Sequence, residues 1–409
     1  MKSILDGAMR KAAALTSRQN LTEATKVIQN ALSGEAWGQN ADSGAQARED
    51  KGQSRLAAGN IWSALTPLQK EPVPVEALTE TARKSSPIGE IMHQLQNGFL
   101  SGGLPELGFG SASHARAEPG SATFDGAQFL TRTYSCAAGS RDYKLFVPSM
   151  AASATHRGQG LPLIVMLHGC KQDPDDFALG TDMNALAEQC GFLVAYPKQS
   201  SSSNQMGCWN WFNRKDQVRE SGEPSIIAGL TREIMTEFNV DADQVFVAGL
   251  SAGGAMAAIL GATHPDLFRA AGIHSGLPCG AATDVASAFT SMRHGASMEA
   301  TALPETNVRT IVFQGAADRT VHPSNADLIV AFASAGLDSA VETKQRGRSG
   351  GGIAYERTVI TDMSGVPQVE YWAVEGMGHA WSGGRAEGSF TDPNGPDASR
   401  EMLRFFLQH

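Results

Sequence analysis

Apolar positions along the chain follow two rhythms, separated by a stretch that follows neither. In the first 35 residues Leu5, Met9, Ala13 and Leu15, then Leu21, Ala24, Val27, Ile28 and Leu32, recur at helical spacing, and Gly34 stops the second run. This predicts a helical hairpin appendage over residues 1–35, its apolar stripe serving as a core or as a docking face. Residues 36–115 turn polar, as in "GQNADSGAQAREDKGQSR", with too few apolar positions to bury a core. That stretch is expected to be a largely disordered linker with one short helix in "IGEIMHQLQNGFLSGGL".

A different pattern covers residues 116–409. "SATFDGAQFLTRTYSC" and "RDYKLFVPS" predict antiparallel strands turned by "AAGS". Short apolar runs then alternate with helical segments. The runs are "LPLIVMLHG", "GFLVAYP", "QVFVAGL", "AAGIHSG", "VRTIVFQG" and "VEYWAV". The helical segments are a stretch around 180–190, "PSIIAGLTREIMTEFN", the residues after Ser251, "PSNADLIVAFASAG" and "DASREMLRFFLQ". Such alternation predicts an α/β fold with a mainly parallel sheet covered on both faces.

One strand-to-helix junction carries chemistry. In "VFVAGLSAGGAMA", residues 245–257, Gly249-Leu250-Ser251-Ala252-Gly253 matches the G-x-S-x-G nucleophile elbow in its required context. A tight turn with an idle serine is the alternative. The elbow would expose a hydroxyl at a helix N-terminus, where N–H groups favour developing negative charge. That hydroxyl needs a base, and the base an orienting group, in the chain order Ser, Asp or Glu, His. Asp318 follows a strand in "TIVFQGAADRTVHPSNA", and His379 follows the next in "EYWAVEGMGHAWSGG", at spacings of 67 and 61 residues. All three fall at the C-terminal edge of the predicted sheet, where open α/β sheets carry their sites. His322 precedes a proline and is expected to cap the next helix or shape its loop. His264 and His274 follow Ser251 too closely to fold back over it, and with His168 are expected to be structural. The oxyanion donors are expected to be the backbone N–H groups of Ala252 and of Cys170 in "IVMLHGCKQDPDDF".

The blocks "LHGCKQDPDDF", "CWNWF", "GLSAGGAMA", "GAADRTVHPSNA", "GMGHAWSGG" and "GPDASREMLRFF" resemble, in order, the polyhydroxybutyrate (PHB) depolymerase family of esterases. These are α/β-hydrolases related to feruloyl and acetyl xylan esterases. The resemblance spans about residues 120–409 and implies a serine triad at Ser251, Asp318 and His379. It implies short-chain hydroxyalkanoate polyesters or other carboxylic esters as substrate, with no cofactor and no metal. Trp209 and Trp211 are either substrate contacts or core. A feruloyl or acetyl xylan esterase is the rival enzyme reading; a non-catalytic polymer- or granule-binding protein is the rival of another class.

Composition narrows the partners. The 409 residues are 42% hydrophobic and 18% charged, with net charge −9, which argues against nucleic acid as the main partner. No apolar run approaches the roughly 20 residues of a membrane span. The N-terminus shows no apolar signal core, so cytoplasmic location is the sequence expectation, although the family is commonly secreted. The five cysteines, Cys136, Cys170, Cys190, Cys208 and Cys279, form no CxxC pair; free thiols are expected ahead of a Cys170–Cys208 disulfide.

Overall fold

The apolar runs read as strands lie side by side. The structure, a computed structural model, describes residues 124–152, 160–297, 308–337 and 339–408. The expected hairpin at 1–35 and the linker at 36–115 lie outside the described residues. The elements in chain order are β1 (Gln128–Cys136), β2 (Gly139–Val147), β3 (Leu161–Leu167), α1 (Pro174–Thr181), α2 (Met183–Cys190), β4 (Leu193–Pro197) and α3 (Gly222–Glu237). There follow β5 (Val240–Leu250), α4 (Ala252–Thr263), β6 (Ala270–His274), α5 (Val285–His294), β7 (Arg309–Gly315) and α6 (Ser324–Ser334). The last are β8 (Val341–Arg348), β9 (Ala354–Thr361), β10 (Pro367–Val374) and α7 (Ala398–Leu407).

Ten strands form one sheet in the order β1-β2-β4-β3-β5-β6-β7-β10-β9-β8. The six from β4 to β10 run parallel, and an antiparallel pair extends each edge. Central strands bury both faces, so their sequences are continuously apolar. Side chains still alternate between two cores. Leu163, Val165 and Leu167 meet Ile227, Leu230 and Ile234 of α3 and most of α4 on one face. Ile164 and Met166 meet Phe177 of α1, Met183 of α2, and Met402, Phe405 and Phe406 of α7 on the other. The Phe246 and Phe406 rings stack at 4.9 Å. Beyond the predicted elements the structure adds helices α1 and α5 and the outer hairpin β8–β9, whose β8 is exposed on both faces.

Candidate active site

The four parallel strands β3, β5, β7 and β10 each end in a loop at one edge of the sheet, and those loops carry the expected site residues. At the end of β5 the chain turns through Ser251 at φ 58° and ψ −119° before α4 begins. A non-glycine residue there is strained, and only the surrounding packing holds it. The flanking glycines are required by contact. A Cβ on Gly253 would stand 2.0 Å from the Leu167 carbonyl oxygen, and one on Gly249 would stand 2.4 Å from backbone carbon of Gly253. Ser251 N–H donates to the His274 carbonyl at 2.8 Å, tying the elbow to β6.

Past β7, Asp318 is a buried carboxylate with four donors. Its Oδ1 accepts the backbone N–H groups of Thr320 (2.8 Å) and Val321 (2.9 Å). Its Oδ2 accepts from Gln314 Nε2 (3.1 Å) and from His379 Nδ1 (2.7 Å). Burial pushes this carboxyl up, but the hydrogen bond and charge of His379 and the two backbone donors outweigh it, and the group ends below its ordinary range. With Nδ1–H given to Asp318, the other ring nitrogen of His379 is the acceptor. That Nε2 is buried and has no hydrogen-bond partner.

The His379 loop is anchored on both sides. Met377 carbonyl accepts the Ala317 N–H at 3.0 Å, which docks it on the Asp318 turn. Trp381 is buried without exposed surface, donates through Nε1 to Ser399 Oγ (3.1 Å), and packs against Phe177 and His274 at 5.5 and 5.0 Å. Ser382 N–H donates to His274 Nε2 at 2.9 Å.

After β3, the loop at 168–172 leaves one donor open. Gly169 N–H is taken by Gln172 Oε1 (3.0 Å) and Lys171 N–H by the Met206 carbonyl (3.0 Å). Among the described residues, the backbone N–H groups of Cys170 and Ala252 donate no hydrogen bond. Gln172 in turn donates to Asp176 of α1 and to Ser389, which pins this loop to the chain beyond His379.

Two expectations change here. Cys170 and Cys208 form a disulfide, while Cys136, Cys190 and Cys279 stay free; the loops holding them adjoin in space, which spacing along the chain does not reveal. Trp209 and Trp211, weighed as substrate contacts, are both core. Trp209 is 0% exposed, donates to the His168 carbonyl and lies against the His168 ring; Trp211 is 5% exposed. The segment turns inward because its backbone is held by buried Glu223, which accepts from Asn210 N–H (2.7 Å) and Asn210 Nδ2 (2.9 Å). His168 and His322 brace their loops, His168 by accepting Gln199 N–H and His322 by accepting Ser324 N–H. Among the described residues, no three His, Cys, Asp or Glu side chains cluster as metal ligands, and no helix is long and apolar enough to cross a membrane.

The disulfide closes a separation of 38 residues, a loop worth about 2–4 kcal/mol when cross-linked. Cys208→Ser, or reduction with dithiothreitol, should lower the thermal midpoint by about 5–10 °C. Melting curves with and without reductant check this; identical curves would show that the cross-link contributes nothing.

The family described as "Esterase PHB depolymerase" matches residues 141–350, just over half of the chain and including the loop at 168–172, the Ser251 turn and the Asp318 turn. The chain belongs to the PHB depolymerase family of esterases. Curated relatives in this family setting include poly(3-hydroxyalkanoate) depolymerase C of Paucimonas lemoignei, 32% identical over 231 residues, covering 53% of this chain and 54% of that protein. Poly(3-hydroxybutyrate) depolymerase of Ralstonia pickettii is 31% identical over 244 residues, 54% of this chain and 48% of that protein. The chain thus matches about half the length of each. Among solved structures, acetyl xylan esterase from Aspergillus awamori aligns over 68% of this chain and 98% of its own at a TM-score of 0.53 and 20% identity, a likeness of fold.

Proposed function

We propose that this PHB depolymerase family member is a serine carboxylic-ester hydrolase whose substrates are short-chain hydroxyalkanoate polyester or its oligomers. One observation carries the mechanism: Asp318 holds His379 by its Nδ1–H, leaving a buried, partnerless Nε2 at the sheet edge where Ser251 sits strained on its elbow.

Ser251 Oγ attacks the ester carbonyl carbon while His379 Nε2 takes its proton. The carbonyl π electrons move to oxygen, and the open N–H groups of Cys170 and Ala252 receive that oxyanion. The intermediate collapses, the C–O bond to the alcohol breaks, and His379 returns the proton to the leaving alkoxide. Water, deprotonated by His379, then attacks the acyl-enzyme; the acid leaves and Ser251 regains its proton. Asp318 stays ionised throughout and stabilises the imidazolium. Nothing in these steps needs a metal or an organic cofactor.

Family membership and the two depolymerase relatives support hydroxyalkanoate esters as substrate. A groove lined by Lys171, Gln172, Lys198, Gln199, Ser200 and Met206 runs beside the loop that carries Cys170 and is where a substrate chain would lie. Sugar esters are the second reading, favoured by the probable acetylxylan esterase A of Aspergillus fumigatus, 32% identical over 119 residues. The test is a panel of 3-hydroxybutyrate oligomers, acetylated xylan and methyl ferulate, with a fluorophosphonate probe mapped by mass spectrometry. The expected result is probe on Ser251 and the highest kcat/KM on the hydroxybutyrate oligomers. Preference for acetylated xylan would move the assignment to the second reading. Binding of polymer without hydrolysis of any ester, and without labelling, would make the protein a non-catalytic binder.

A further inference from the structure

His274 lies outside the proposed chemistry yet grips both halves of it. Its carbonyl accepts the Ser251 N–H at 2.8 Å, so the elbow hangs from it. Its ring Nε2 accepts the Ser382 N–H at 2.9 Å, three residues past His379, so the base loop hangs from it as well. The ring is fully buried, stacked between Phe313 at 5.6 Å and Trp381 at 5.0 Å with interplanar angles of 12° and 25°.

A filler for that slot need not be polar. Burying an imidazole between two aromatic rings costs free energy unless its nitrogens are paired, and an apolar ring would fill the space without that cost. Both nitrogens are paired here. Because Nε2 accepts from Ser382, the proton sits on Nδ1 and is donated to Ser275 Oγ at 3.1 Å. Ser275 is itself held at φ 48°, its N–H bonded to the Phe313 carbonyl at 2.9 Å. Tautomer and ring plane are therefore both set by neighbours. Burial, and next the nearby His379, hold the ring's pKa down to about 3 against the pull of Asp318, so the acceptor persists at neutral pH.

We propose that His274 is a positioning residue that sets the separation of Ser251 and His379, holding the elbow through its carbonyl and the base loop through its ring nitrogen. The proposal rests on the reading of Ser251, Asp318 and His379 as the reacting set. It explains why a polar ring stands where packing alone asks for an apolar one.

Two substitutions separate positioning from packing. His274→Phe keeps the aromatic stack and loses the acceptor; His274→Gln keeps an acceptor near the Nε2 position and loses the stack. A packing role ranks the variants by stability, with Phe the better enzyme. Positioning ranks them by the acceptor, with Gln the better enzyme although less stable. For p-nitrophenyl butyrate, His274→Phe should lower kcat about 10- to 100-fold, the scale of a misplacement near 1 Å, with KM within about twofold. His274→Gln should recover most of that loss. Ser275→Ala, which leaves the Nδ1–H without its acceptor and so loosens the ring plane while keeping the stack, is the variant that decides if the Phe protein does not fold. It should lower kcat about 3- to 10-fold at constant KM. His274→Phe at least as fast as His274→Gln, or wild-type kcat in Ser275→Ala, overturns the proposal. Fluorophosphonate labelling of wild-type Ser251 keeps the two levels apart: without labelling the triad reading itself fails, whereas labelling with the wrong ranking removes only the role of His274.

Discussion

Ser251→Ala should lower kcat for p-nitrophenyl butyrate by about 10⁶-fold while leaving the fold intact. The expected size follows from the division of labour at the site. On the proposed mechanism, removing the nucleophile leaves His379 and Asp318 no proton to move, and only the oxyanion donors and binding remain to accelerate attack by water. The fold is spared for a local reason. Alanine and serine bear the same strain at φ 58°, and the Ser251 side chain makes no cap hydrogen bond to α4 that would be lost. Steady-state rates with a melting curve for each protein check both halves. A variant that kept wild-type kcat would sink the assignment of Ser251. A variant that lost activity and melted far below the wild type would show instead that the hydroxyl holds the elbow together.

Asp318→Asn carries the second largest expected effect, about 10⁴-fold in kcat with a modest loss of stability. Asp318 accepts four N–H donors, two at each oxygen. Asparagine offers one oxygen and one NH₂ group. If its oxygen stays with the Thr320 and Val321 amides, the NH₂ faces Gln314 Nε2 and His379 Nδ1, which are donors. His379 relieves the conflict by moving its proton to Nε2, the atom that accepts from Ser251 in the proposed mechanism. The base is then present, correctly placed and in the wrong tautomer. Rates across pH would show the defect at every pH where the enzyme folds. Activity within tenfold of the wild type would mean that another group orients the imidazole.

The parts of this molecule readable in its sequence are those where a local pattern and a structural demand coincide. Ser251 is readable because the turn tolerates nothing larger than glycine at 249 and 253, which leaves a five-residue signature. Asp318 and His379 are readable as polar residues just past apolar strands, and the structure joins them at 2.7 Å. The central strands are readable because both faces are buried, so no polar position interrupts them. The hairpin β8–β9 escaped for the converse reason: "VETKQRGR" is exposed on both faces and shows no alternation. Helix α5 buries only Ala288 and Ser291, too little to print a stripe. The Cys170–Cys208 pairing and the inward turn of Trp209 depend on which loops adjoin, and His274 looks the same in sequence whether it grips two loops or none.

The sheet order has a consequence for the route by which the molecule matures. β3 is inserted between β4 and β5, and β10 pairs with β7 across the whole of α6 and the β8–β9 hairpin. The loops at Cys170, Ser251, Asp318 and His379 are therefore brought together only by pairings between distant parts of the chain, which are slow to find because loop closure precedes the contacts that reward it. A chain that has paired β3 with β5 already holds the Ser251 turn and the loop at 168–172, yet it lacks His379, the proposed base, until β10 docks and Ser382 reaches His274. Nascent molecules should thus pass through a compact, inert stage, and ester turnover during refolding should lag behind the recovery of secondary structure.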